Sequence, residues 1–347
     1  MIMQSVPARS SISRKALIGL AAAFAVVSPT NGMVHAARAA SPGPLRLERI
    51  VLLMRHGVRP PTKDPAMPAG IAAAPWPSWP VAPGYLTPHG AKGVEALGAS
   101  DRRWLATAGL LPASGCPATG VVRVRSDSDQ RTIATGDAWI SGFAPACEVA
   151  HDHRPQDEAD RLFLNAGENG EPFDPARADA AVAAALVPGG IAAAERRERG
   201  TLVILDHILC GPVTKGCGVQ ASPTRLVPAA ADARPKLAGA LDRGSTAAQI
   251  LLLEYADGKP MADVGWGRAT AADIALFSRL HATEFAILAR SPYMAAANVG
   301  PLAREMLAAL AGPARVTALV GHDTNVASLG GLLDMHWRIP GYAPDDP

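Results

Sequence analysis

The sequence is short of net charge, of paired cysteine spacings and of any apolar run long enough to cross a bilayer. Its 33 Lys and Arg against 31 Asp and Glu leave a formal net charge of +2. Residues 1–39 hold Arg9, Arg14, Lys15 and Arg38 and no acid, so the remainder carries 29 basic and 31 acidic residues. A chain so evenly balanced gives no global reason to expect nucleic acid or an anionic membrane as a partner. There is no internal repeat. The four cysteines contain no C-x-x-C pair, which removes the usual signal for zinc. The apolar stretch from Ala16 to Val27 has about a dozen residues, whereas a spanning helix needs roughly 20. Arg14 and Lys15 precede it, and the small-residue sites Val34-His35-Ala36 and Ala37-Arg38-Ala39 follow. That pattern predicts a secretory signal peptide over residues 1–39 and a periplasmic or secreted protein with no membrane contact after cleavage. Export permits disulfides. Cys116, Cys147, Cys210 and Cys217 allow three pairings. Nearest neighbours along the chain favour Cys116–Cys147 with Cys210–Cys217, and free buried cysteines are the alternative.

What is present is ample hydrophobic material, 48% of 347 residues, in a pattern of strands feeding helices. Leu47 to Met54 is a near-continuous apolar run, as in a strand buried on both faces of a parallel sheet. The Pro- and Trp-rich stretch from Pro60 to Pro83 predicts an irregular loop. Thr87 caps a predicted helix with Pro88 at its first position and Val94, Leu97, Trp104, Leu105 and Ala108 on its apolar side. Val121–Arg125 predicts a second strand, followed by Ser126-Asp127-Ser128-Asp129 and a helix from about Gln130 to Gly142. Val316–Val320 predicts a third, leading through Gly321-His322-Asp323 to a helix near Asn325–Leu333. Open α/β sheets place ligand sites at such strand-to-helix turns. Between them, helices are expected near 176–187, 193–209, 245–256 and 271–289, with Thr201–Leu205 also readable as a strand. The expectation is an α/β fold: an open, mostly parallel sheet flanked by helices over 40–165 and 290–347, with a smaller, mostly helical domain over 166–289.

Arg55-His56-Gly57-Val58-Arg59-Pro60 is the densest chemical signal. Two guanidinium forks, which match phosphate oxygens bidentately and stay charged, flank an imidazole at a strand end. Gly57 is expected to let the backbone approach a ligand and Pro60 to stiffen the turn. As ordinary surface charges these residues need no function, but three such groups within five positions, followed by Thr62 and Lys63, favour a phosphate clamp. Asp323 reads equally as a helix cap when taken alone, and Arg131 as one more helix arginine.

Positions 55–61 and the distant pair His322-Asp323 resemble the two hallmarks of the histidine acid phosphatases. Within that family the sequence is similar to bacterial periplasmic phytases at Trp76-Pro77-Ser78-Trp79-Pro80-Val81, Leu86-Thr87-Pro88, Arg131-Thr132, Gly265-Trp266-Gly267-Arg268 and Gly321 to Gly331. The resemblance spans about 46–341. It implies a phosphoglycerate-mutase-like fold, a disulfide like Cys116–Cys147, and hydrolysis of a small phosphorylated substrate through a phosphohistidine on His56. In that scheme Asp323 is the general acid, and Arg55, Arg59, Arg131 and His322 hold the phosphate. Thr62 and Lys63 meet further phosphate groups, and no metal or cofactor takes part. A monomer is expected.

Two departures matter. Gln249 stands where bacterial phytases often carry a glutamate, which bears on a preference for inositol hexakisphosphate. The family also continues for several dozen residues beyond Pro340-Gly341, whereas this sequence stops at Pro347, from which an uncovered sheet edge is expected. The alternatives are a glucose-1-phosphatase-like sugar phosphatase and an inert phosphate-binding protein. A metal-dependent hydrolase built on His151 and His153 is weaker than its alternative, a solvated loop.

Overall fold

The computed structural model describes residues 45–213 and 215–347; the expected leader lies outside the described residues. In chain order the elements are β1 (Ile50–Arg55), α1 (Pro88–Thr107), β2 (Val122–Ser126), α2 (Gln130–Phe143), β3 (Ala150–Asp152), α3 (Pro175–Ala185), α4 (Gly190–Cys210), β4 (Arg225–Val227), β5 (Lys236–Ala238), α5 (Ala240–Ala256), α6 (Ala271–Leu288), α7 (Pro292–Ala311), β6 (Val316–Gly321) and α8 (Asp323–Leu332). Four strands form one sheet in the order β1-β6-β2-β3, every pair parallel. Strand β6 is therefore inserted between β1 and β2 and is buried along its whole length.

Alternation along the strands sorts the two layers of the core. Val316, Ala318 and Val320 of β6 face α1 and α2, packing with Val122, Val124, Trp139 and Phe143. Leu319 points the other way, toward Val299 and Leu302 of α7, Phe163, and Leu329 of α8. Helices thus cover both faces, as a parallel sheet requires. A separate apolar cluster is built largely from α3, α4, α5 and α6, including Leu202, Leu205, Leu209, Leu251, Phe277 and Leu280. The short antiparallel pair β4-β5 lies between α4 and α5 in the sequence.

Several sequence expectations are corrected by packing. Leu97 and Trp104 are exposed, and the buried face of α1 runs through Gly90, Val94, Gly98, Arg102 and Leu105. The reason is the close crossing with α2: a Cβ on Gly98 would stand 2.2 Å from the Trp139 carbonyl oxygen. Thr201–Leu205 is helical, inside α4, because Thr201, Leu202 and Leu205 face the apolar cluster at helical spacing. Helix α5 begins at Ala240 and α8 at Asp323, both earlier than expected. Helix α7, with Pro301 in its interior, lies where the sequence pattern announced none. His153 is exposed beyond β3, as a solvated loop would have it, but His151 is not: it is on β3, with Nε2 2.8 Å from Ser126 Oγ and Nδ1 2.8 Å from Asp137. Cys116 is bonded to Cys147 and Cys210 to Cys217. The outer side of β1 is unpaired among the described residues.

Two buried carboxyls make stability depend on pH. Burial pushes both Glu254 and Glu284 up to about 7, against the Gly265 N–H bond to the first and the Ser245 bond to the second. A raised folded pKa means stability that is complete below the unfolded value near 4.5 and is lost as pH rises through about 7. Glu254→Gln, a neutral isostere of the folded form, is therefore expected to be less sensitive than the unchanged chain between pH 5 and 7.5. The difference should be on the order of 2 kcal/mol, read from urea unfolding at the two pH values. Equal pH slopes for the two chains would contradict a neutral Glu254.

Candidate active site

The adjacent strands β1, β6 and β2 deliver their next residues to one place at the carboxyl end of the sheet. His56 follows β1, and its N–H donates to the Gly321 carbonyl at 3.0 Å. The ring is 6% exposed. Nδ1 lies 2.8 Å from the Gly57 carbonyl oxygen, which can only accept. Nδ1 therefore carries the proton and Nε2 keeps its lone pair. Burial, then the charges of Arg55, Arg59, His322 and Arg131, hold the imidazole well below the ordinary histidine value, so it stays neutral in acid. Gly57 is required for a different reason from the one expected. A Cβ there would meet Leu86 at 2.7 Å and Val94 at 2.9 Å, so the residue lets α1 close on the turn rather than admitting a ligand.

Three arginines surround His56. Arg55 places Nη2 2.9 Å from Asp323 Oδ2. Arg59 is 8% exposed, and its Nη1 donates to the Pro60 carbonyl and its Nη2 to Gln249 Oε1. Burial, then Arg55 and Arg131, bring the Arg59 guanidinium down to about 10, which leaves it charged at any working pH. Arg131, near the start of α2, pairs with Asp129 at 2.5 Å. Arg59 Nε and Arg131 Nε are buried without a hydrogen-bond acceptor, whereas Arg55 Nη2 is held by the Asp323 carboxylate. Three guanidinium charges act on one imidazole, and Asp323 and Asp129 pair only two of them, which favours an anion at that point.

His322 and Asp323 come from the end of β6. The His322 main-chain N–H donates to Asn325 Oδ1 at 2.9 Å, and His322 is the N-cap of α8. Asp323 is thus the first residue of the helix rather than its cap, where its charge meets the positive helix end. Its Oδ1 accepts from Thr324 N–H at 2.8 Å and its Oδ2 from Gln249 Nε2 at 3.3 Å. Burial pushes the carboxyl up, but Arg55, His281, His56 and His322 together pull harder and hold it well below the usual carboxylate range.

Sequence reasoning missed Asp127 and Asp129 as site residues. His322 Nε2 lies 2.6 Å from Asp127 Oδ2 and 3.4 Å from Asp129 Oδ2. Asp127 thereby fixes the ring, and Asp129 fixes Arg131. The one available signal was two acids directly after a predicted strand. These ligand atoms lie within 4.8 Å of one another, but Asp129 is already paired with Arg131 and Asp127 with His322 Nε2. His281 was missed as well; it is buried beside Gln249.

His56, Arg59, Arg131, His322 and Asp323 line a cavity of about 460 Å³. A second, of about 710 Å³, shares Arg59 with it and is lined by Thr62, Lys63, Arg243, Thr246 and Gln249. The structure so brings the two halves of the predicted clamp together and sets Thr62 and Lys63 in the adjoining space.

Three arginines around a neutral imidazole, at the carboxyl ends of parallel strands, mark the class: this is a histidine acid phosphatase. Residues 46–180 match the histidine phosphatase superfamily (branch 2), and the chain belongs to that family. Among particular relatives, it is 34% identical over 328 residues to the phytase AppA of Escherichia coli, covering 87% of this chain and 75% of the relative. It is 27% identical to a glucose-1-phosphatase of Salmonella typhimurium, covering 92% and 78%. The solved structure of Hafnia alvei phytase in complex with tartrate superposes with a TM-score of 0.78 at 34% identity, over 87% of this chain and 78% of that one.

Proposed function

We propose that the chain hydrolyses phosphomonoesters, with inositol hexakisphosphate as its substrate, by way of a phosphohistidine on His56. The observation that carries this reading is the unprotonated Nε2 of a buried imidazole ringed by three arginines, of which Arg59 has no carboxylate partner among the described residues. Phosphate oxygens would accept from the guanidinium groups that line the cavity, which would set phosphorus against Nε2. The lone pair attacks phosphorus as the bond to the leaving oxygen breaks, and Asp323 gives that oxygen its proton. Water then attacks phosphorus, the P–N bond breaks, and Asp323 takes the proton of the water. The arginines and the positive end of α8 stabilise the charge on the equatorial oxygens throughout.

Substrate breadth is argued from the adjoining cavity, where the cations Lys63 and Arg243 stand beside a clamp already sufficient for one phosphate. A densely phosphorylated ring would use both spaces; a monophosphorylated sugar would use one. The two disulfides suit an oxidising compartment, and export to the periplasm or beyond is part of the same proposal. The test is hydrolysis of inositol hexakisphosphate, glucose 1-phosphate and an aryl phosphate at acid pH, with and without excess chelator. The expected result is highest kcat/KM for inositol hexakisphosphate and no effect of chelator. A preference for glucose 1-phosphate would reassign the substrate, and loss of turnover in chelator would overturn the metal-free mechanism.

A further inference from the structure

Gln249 is half-buried on α5 between the site and α6, and all of its amide atoms are engaged. Its Oε1 accepts from Arg59 Nη2 at 3.4 Å, and its Nε2 lies 3.3 Å from Asp323 Oδ2 and 3.0 Å from His281 Nε2. Arg59 can only donate and ionised Asp323 can only accept, so the amide has one permitted orientation. The nitrogen that donates to Asp323 then also donates to His281, whose Nε2 must be bare. On the far side of that ring, His281 Nδ1 lies 2.7 Å from Asp346 Oδ1 and gives it the remaining proton. The ring is 5% exposed and is held edge-on by Phe285 at 4.7 Å between centroids.

We infer that His281 is a positioning residue: through Gln249 it fixes the amide that donates to Asp323 and accepts from Arg59. A carboxylate in place of Gln249 could make neither of the donated bonds. The inference rests on the role of Asp323 as general acid given above. The charged and titratable groups facing Asp323 are Arg55 and His56 from the β1 side, Arg59 from the loop beyond, Arg131 from α2, His322 beside it, His281 from α6 and Arg234 from the segment before β5. Against that background one hydrogen bond to the carboxylate favours its ionised form. Losing the bond makes the acid hold its proton to higher pH.

The test is the pH profile of kcat for inositol hexakisphosphate, measured on the whole chain. His281→Leu and Gln249→Met are each expected to move the alkaline limb upward by about one pH unit. The double variant should move it no further, because the two residues act in series. His281→Gln puts an acceptor near the position of Nε2 and should return the limb. Uniform loss at every pH, or additive shifts, would overturn the inference. If His281→Leu fails to fold, Gln249→Met still decides it, since an unmoved limb there is equally fatal. The ¹⁵N resonances of His281 give a reading independent of turnover: a protonated Nδ1 and bare Nε2 are expected. That tautomer in a chain without phosphatase activity would sink the proposed function and leave the relay standing; the opposite tautomer in an active chain would sink the relay alone.

Discussion

Replacing His56 with alanine is expected to lower turnover of every phosphomonoester by at least about 10⁴-fold while inorganic phosphate still binds. The two readouts separate because different groups carry them. Nε2 of His56 keeps its lone pair because Nδ1 donates to the Gly57 carbonyl. Without it no covalent intermediate forms, and one hard substitution is no longer divided into two easier ones. The guanidinium groups of Arg55, Arg59 and Arg131 remain, and they are what an anion meets. Steady-state kinetics and calorimetric titration with phosphate check the pair of expectations. A variant within tenfold of the unchanged chain would mean that His56 is not the nucleophile.

Asp323→Asn is expected to discriminate between leaving groups. An alkoxide such as that of a sugar or inositol must be protonated as it departs, so its hydrolysis should fall by about 10²–10⁴-fold. A phenolate departs without help, so an aryl phosphate should still release a burst of one phenol per chain before the second step, which lacks its base, becomes limiting. Equal losses for both substrates would remove Asp323 from the acid role. The same site sets the pH dependence. Asp323 is held well below the usual carboxylate range in the free protein, so its proton must arrive with the substrate monoanion, whose second ionisation is near pH 6. We expect kcat/KM to fall as pH rises above about 6. On the acid side it should persist below the ordinary histidine value, because the lowered pKa of His56 keeps the nucleophile neutral there. A profile that falls below pH 6.5 through a single protonation would contradict that environment for His56.

Much of the site was legible because its chemistry is local in the chain. Arg55, His56 and Arg59 lie within five positions at the end of an apolar run, and His322 and Asp323 are adjacent at the end of another. A buried parallel strand followed by polar residues is readable from composition alone. Gly57 was legible as necessary but not as to cause, since a side chain there would meet Leu86, just before α1, and Val94 on it. Asp127 and Asp129 looked like turn acids until β6 was seen to lie against β2, which brings His322 beside them. His281 carried no signal: its partners Gln249 and Asp346 are 32 and 65 residues away.

The sequence by itself determined the strand ends, the helix start at Thr87 and the cluster of guanidinium and imidazole groups at one strand end, because each depends on neighbours within a few positions. Only the tertiary structure decided which face of α1 is buried and what holds His322 and Gln249 in place. Those depend on the crossing of α1 and α2, on the insertion of β6 between β1 and β2, and on hydrogen-bond partners that long-range packing brings together. Short-range pattern encodes where a chain turns and what it carries there; orientation and protonation follow from what folding places opposite.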